Sequence, residues 1–165
     1  MKQEITITLN VGELLYDVLN KTHLTGKSRN TGANPSEVAN MTASLDEGIE
    51  EQLLRSIGSA IGSLRNNMSE YLEDVNTGGN NTLMTITDEP EIELEMPSNF
   101  NSAVVPAISS AMHDYVVNLA VSDWFTITNK PDASDYTTRA TACLSEIHQA
   151  INKRSRPVRS SLVGA

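Results

Sequence analysis

SAVVPAISSAMHDYVVNLAVSDWFTITNKPDASDYTTRATACLSEIHQAINK, residues 102 to 153, decides the fold. Its apolar residues return at helical spacing through Ile108, Met112, Tyr115, Leu119 and Trp124. They do so again through Tyr136, Ala140, Leu144, Ile147 and Ile151. The connection between the runs, Thr126 to Asp132, is short enough to force antiparallel neighbours. Pro131 suits the first turn of a helix, where its missing N–H is no loss. Asp132 and Asp135 stand near the positive end of that helix, Lys153 and Arg154 near its negative end. The reading is a helical hairpin. Beyond it the chain turns basic, Lys153-Arg154-Ser155-Arg156-Pro157-Val158-Arg159, and no acid follows.

Working back towards the N-terminus, the period changes twice. Ile92, Leu94 and Met96 alternate with Glu91, Glu93 and Glu95, after Leu83, Met84, Ile86 and the turn signal Asp88-Glu89-Pro90. This predicts a small β-hairpin, or two short strands, with one apolar face and one row of carboxylates. From Leu45 to Val75 the apolar steps of three and four predict one long helix, ended by Asn76 to Asn81. Gly58 and Gly62, four apart inside it, suggest a face for close helix packing. His23 to Ser44 is polar and reads as a mobile loop that orders against a neighbour. Before it come a short helix over Glu13 to Leu19 and a strand in which Ile5, Ile7 and Leu9 alternate with Thr6 and Thr8. The expected fold is mainly α. It is a helical bundle with a long central helix, a C-terminal helical hairpin and a small inserted β-hairpin. Residues 1 to 152 form one domain, and 153 to 165 a basic C-terminal arm.

A chain of 165 residues builds one core rather than two marginal ones, and with 4% aromatic residues that core is aliphatic. The formal net charge of −9 argues against a general nucleic-acid-binding surface. Lys153, Arg154, Arg156 and Arg159 nevertheless put four positive charges in the last segment, leaving −13 on the remainder. One cysteine forms no intrachain disulfide, which fits a reducing compartment. No apolar run follows Met1-Lys2-Gln3-Glu4, so no signal peptide is expected, and no continuous apolar stretch reads as a membrane span.

The chemical candidates reduce to surfaces. Thr25-Gly26-Lys27-Ser28 matches the end of a phosphate-binding loop, but the glycine required five residues before Gly26 is Lys21. His23, His113 and His148 lie in separate elements without ligand spacing, so neither a metal nor a cofactor is expected. Cys143, beside Leu144 on the last apolar stripe, reads as a core residue rather than a nucleophile. Glu91, Glu93 and Glu95 form a regular row, more a solvated face than an acid–base pair, or the wall of a channel that repels phosphate. The basic segment suits phosphate contacts, or an extended arm docking on an acidic partner, with Pro157 keeping it out of the helix.

Taken together these pieces resemble the head–tail connector, or adaptor, proteins of tailed bacteriophages, nearest to those of Bacteroides-infecting, crAss-like phages. The resemblance rests on Tyr115-Val116-Val117-Asn118 through Asp123-Trp124-Phe125, on Lys130-Pro131-Asp132-Ala133-Ser134-Asp135-Tyr136, and on Ala150-Ile151-Asn152-Lys153-Arg154-Ser155-Arg156-Pro157. Leu14-Leu15-Tyr16-Asp17-Val18 and Leu24-Thr25-Gly26-Lys27-Ser28-Arg29 extend it to the N-terminal part. It implies a virion structural protein at the head–tail junction, made in the host cytoplasm and without catalysis. Copies would form a ring with the portal's dodecameric symmetry, touching the portal and further ring or tail proteins, while DNA passes without sequence-specific binding. Carried over, Lys153, Arg154, Arg156, Pro157 and Arg159 are the portal-binding residues, and Glu91, Glu93 and Glu95 line the channel. The competing expectation is a small helical DNA-binding or regulatory module using the same basic tail.

Overall fold

The computed structural model describes residues 1 to 46, 48 to 73 and 78 to 158. Its elements in order are β1 (Gln3–Thr8), α1 (Val11–Ser28), α2 (Pro35–Met41) and α3 (Ile49–Asn67). They continue with β2 (Glu91–Met96), a 3₁₀ turn at Ser102–Val104, α4 (Val105–Thr128) and α5 (Lys130–Ile151). The architecture is mainly helical with a two-stranded antiparallel β-element, as the periodicities require.

The hairpin of α4 and α5 is the core of the molecule. Pro106 and Pro131 each occupy a first helical turn, and Asn129 alone separates the helices. The turn is therefore tighter than the seven-residue connection expected from sequence. Phe125 and Tyr136 close it, with ring centroids 5.5 Å apart. Phe125, not Trp124, fills the core at this end: Trp124 is half-buried, and its indole N–H donates to the Met41 carbonyl at 2.8 Å. Ser102–Thr128 is long and apolar enough by composition to cross a membrane, yet half of its most apolar window is buried by the rest of the chain. A helix packed by α1, α3 and α5 needs apolar residues on most sides, which accounts for that composition. The long central helix is thus α4, and not the Leu45–Val75 segment.

That segment is corrected at both ends. Gly48, at φ +89°, makes the turn into α3, a conformation that favours glycine. The helix ends at Asn67, while Met68 stays fully buried and Tyr71 and Leu72 half-buried, so the apolar pattern outlasts the helix. Past the turn, Glu95 N–H donates to Tyr71 O at 2.7 Å and Glu73 N–H to Glu93 O at 3.2 Å, which lays residues 71 to 73 along β2. Val75, Asn76 and Thr77, where the end of the long helix was expected, lie outside the described residues. The two interior glycines do not seat another helix. Gly58 faces Met84 and Gly62 faces open space.

The stretch 23 to 44, expected as a loop, is largely helical. α1 runs through His23 to Ser28, and α2 fills 35 to 41. The buried stripe of α1 is Val11, Leu14, Leu15, Val18, Thr22 and Gly26, so its last two turns use small or polar residues where a hydrophobe would have signalled a helix. Thr22 is satisfied inside: its hydroxyl donates to Leu19 O and accepts from Ala43 N–H. At Gly26 a Cβ would lie 3.0 Å from Thr42 Oγ1, so glycine is what lets the end of α2 approach.

β2 does not pair with 83 to 86. Its partner is β1, in register Gln3↔Met96, Ile5↔Leu94 and Ile7↔Ile92, which puts all the apolar side chains on the core face. Residues 85 to 88 instead form a turn in which Thr85 N–H donates to Asp88 Oδ2 at 2.8 Å. Leu9 N–H to Pro90 O and Val11 N–H to Asp88 O then carry the pairing up to the start of α1.

Candidate interaction surface

The outer face of the sheet is acidic beyond the three glutamates visible in the sequence. The register sets Glu4 opposite Glu95, Thr6 opposite Glu93 and Thr8 opposite Glu91. Residues directly opposite in an antiparallel pair share a face, and like charges so placed are unfavourable. Glu73 joins them through its backbone bond to Glu93. Desolvation first, and then Glu4, Glu93 and Glu95, push the Glu73 carboxyl above its ordinary value. Among the described residues only Lys2 makes an ion pair with this face, to Glu95. Glu4 and Glu73 escaped the sequence reading because each joins the row only through a non-local partner.

The basic segment begins later than its charges suggest. Asn101 N–H donates to Lys153 O at 3.1 Å, and Ser155 N–H donates to Asn99 O at 2.8 Å. Arg154 folds back, donating to Ile151 O at 2.9 Å, where cations meet the free carbonyls of a helix end. Residues 153 to 155 therefore belong to the body. Arg156, Pro157 and Val158 are exposed, and Arg159 lies outside the described residues. The body's edge at this point is only three residues past the end of β2, so the basic segment departs beside the acidic sheet.

A polar seam joins α1 to the hairpin. Asp17, Lys21, Thr25 and Arg29, spaced four apart and hence on one side of the helix, reach His113, Asn118, Tyr136 and Asp132. Lys21 donates to Asn118 Oδ1 at 2.8 Å, and Asn118 in turn donates to Cys143 Sγ at 3.7 Å. Burial pushes the half-buried Cys143 thiol up, away from the reactive thiolate. Thr25-Gly26-Lys27-Ser28 forms the last turn of α1, with Thr25 hydrogen-bonded to Tyr136 at 2.7 Å. A shallow groove of about 370 Å³ on the other side of α1 is lined by Tyr16, Leu19, His23, Ala43 and Leu45.

This geometry sorts the candidates. It brings Glu91, Glu93 and Glu95 onto one exposed or half-exposed row, and it places Lys153, Arg154, Arg156 and Pro157 at an edge of the body. The three histidines remain apart, and His113 is engaged by Asp17 at 2.6 Å. What the surface offers chemically is unlike charge, one sign on a rigid sheet and the other on an extended segment. Comparison with family models, with curated proteins and with solved structures finds no match to this chain.

Proposed function

We propose that this protein is a structural component of a tailed-phage virion, a head–tail connector assembled as a ring between portal and tail. The observation that carries the reading is the separation of charge: carboxylates on the outer face of the sheet, and cations on a segment leaving the body beside it. A closed ring is built from heterologous contacts, in which one surface of each copy meets a different surface of the next. Unlike charges meet that need, and they speed and direct assembly more than they add raw affinity. The residues that carry the resemblance to connectors, 115 to 125 and 130 to 136, lie on the α4–α5 hairpin, a rigid platform for such contacts.

The ring adopts the portal's dodecameric symmetry, and the net negative body repels the phosphate of DNA passing through. Lys153 and Arg154 sit at the anchored base of the basic segment and Arg156 and Pro157 are exposed beyond it; in this reading they and Arg159 meet the other members of the junction. Many copies engaging one portal multiply weak single contacts. The protein transforms no substrate in this reading.

The basic segment favours one competing reading, a DNA-binding module. With three or four cations to offer, its affinity for duplex would fall with a salt slope of only about −3. Co-expression with a portal protein, followed by electron microscopy, tests the proposal. The expected result is a ring seated on the portal and weak, non-specific DNA retention. Portal rings that never carry this chain, or mature particles without it, would overturn the reading.

A further inference from the structure

We propose that the free edge of β1 takes up an extended segment of a partner protein as the next strand of the sheet, a segment whose side chains alternate between basic and apolar. Its apolar residues lie beside Ile5 and Ile7. Its cations lie on the outer face, beside Glu4 and over Thr6 and Thr8. This binding mode stands independently of the connector reading.

Backbone bonds fix which edge of the sheet is open. Along an antiparallel strand, the N–H and C=O of one residue point to one side and those of the next residue to the other. Glu95 N–H donates to Tyr71 O at 2.7 Å, Glu73 N–H to Glu93 O at 3.2 Å, and Arg65 Nη2 to Glu91 O at 2.5 Å. Residues 91, 93 and 95 therefore point away from β1, and that edge of β2 is closed. Ile92, Leu94 and Met96 point towards β1, opposite Ile7, Ile5 and Gln3, and Leu9 N–H to Pro90 O at 2.9 Å keeps the same phase. The N–H and C=O groups of Glu4, Thr6 and Thr8 are thus turned to the far side of β1. Among the described residues, no group hydrogen-bonds to them there. β1 is six residues long, in unbroken register and without proline, so neither a bulge nor a proline blunts its edge.

An open edge calls for a strand, whose main chain supplies affinity while alternate side chains supply specificity. The neighbouring side chains decide which strand. An added residue opposite Glu4 meets a carboxylate on the same face. Thr6 and Thr8 are short and exposed, and across from them stand Glu93 and Glu91, two strand spacings or about 10 Å from the added chain. A lysine or arginine placed there passes over the threonine to the carboxylate. Lys2, just before β1, shows the same lateral reach in its ion pair with Glu95. On the inner face Ile5 and Ile7 are buried, so the positions beside them call for apolar side chains. A second copy of β1 does not meet these terms, because it would bring its own Glu4 and glutamate row to an already acidic face.

The probe is a labelled peptide, TKVRVRVT, titrated against the full chain by fluorescence anisotropy, with hydrogen exchange of the β1 amides read by NMR. In the free protein exchange should alternate, fast at Glu4, Thr6 and Thr8 and slow at Ile5 and Ile7. Saturating peptide should slow the fast set by about tenfold or more. Two N-methylated peptides, one blocked at its basic residues and one at its valines, keep the same charge. One should lose binding about tenfold and the other retain it, since only one set of N–H groups faces β1. Thr6→Pro removes an outward N–H while leaving the ladder to β2 intact, and should weaken binding by a similar factor. Should that variant fail to fold, the methylated peptides carry the same test. E91Q/E93Q should weaken binding about threefold, and the peptide TEVEVEVT should not bind. Failure of TKVRVRVT to bind at millimolar concentration, slow exchange at Glu4, Thr6 and Thr8 in the free protein, or equal binding of both methylated peptides would overturn the inference. So would binding that responds to E91Q/E93Q but not to Thr6→Pro. Edge protection that rises with protein concentration in the absence of peptide would also overturn it, by making a second copy the occupant.

Discussion

Arg29 and Asp132, 103 residues apart in the chain, form a forked pair in which Arg29 Nε donates to Asp132 Oδ2 at 3.1 Å and Nη2 donates to Oδ1. The pair fastens the end of α1 to the first turn of α5. Asp132 is only 5% exposed and also accepts from Asn129 Nδ2, so one carboxylate ties together the end of α1, the hairpin turn and the start of α5. Planar two-point contact of this kind fixes orientation as well as distance.

Replacing Asp132 with alanine strands Asn129 in a buried site and releases α1. We expect a loss of about 1–2 kcal/mol, discounted for the exposed side of Arg29, in chemical denaturation. The side chain of Arg29, over half exposed, should cost less when changed to methionine.

The same carboxylate sets a pH dependence. The hydrogen bond from Arg29 holds the Asp132 carboxyl below its ordinary value, against the opposing effect of burial. The stabilisation is therefore fully present above the unfolded carboxylate pKa of about 3.9, and is lost as pH falls through the lower, folded value. Denaturation midpoints measured from pH 6 down to about pH 2 should fall less steeply for Asp132→Asn than for the wild type.

Trp124 holds the end of α2 through the Met41 carbonyl. Trp124→Phe keeps most of the apolar contact but removes the donor, at a cost of about 1 kcal/mol. Hydrogen exchange should quicken over 35 to 41 and remain slow along α4. Equal change in both helices would refute a local tether.

The glycines separate space from propensity. Gly62 faces nothing within 4 Å, so Gly62→Ala should stabilise α3 by about 0.5–1 kcal/mol in thermal or chemical melts. Gly26→Val should destabilise instead, since its Cβ would press on Thr42 and Val38.

Truncation should find the true start of the basic arm. Removing residues from Arg156 onward leaves the bonds to Asn99 and Asn101 intact, and the melting temperature should not move. Starting the deletion at Lys153 removes those bonds and the Arg154 contact with the helix end, for a loss of about 2–4 °C per kcal/mol. Identical melting of both truncations would show that residues 153 to 155 contribute nothing to the body.

Much of this was legible without coordinates. The two runs of α4 and α5, the alternation that puts Ile92, Leu94 and Met96 inward, and the contrast between acidic body and basic end all repeat along the chain at short range. A helix or strand fixes its own period, so the residues at i and i+4, or at i and i+2, announce which face they share. Where small or polar residues filled buried positions, as Thr22 and Gly26 do in α1, that announcement fell silent and the last turns of the helix read as loop.

Other features had no local sign. That β2 pairs with β1 rather than with 83 to 86, that Glu4 and Glu73 join the glutamate row, and that Asn99 and Asn101 hold the start of the basic segment were settled only in three dimensions. Backbone hydrogen bonds form between any two strands that meet, whatever their side chains, so the sequence names each strand's faces but not its partner. The choice belongs to the core, which buries Ile5 against Leu94 and Ile7 against Ile92 and in doing so aligns the carboxylates outside.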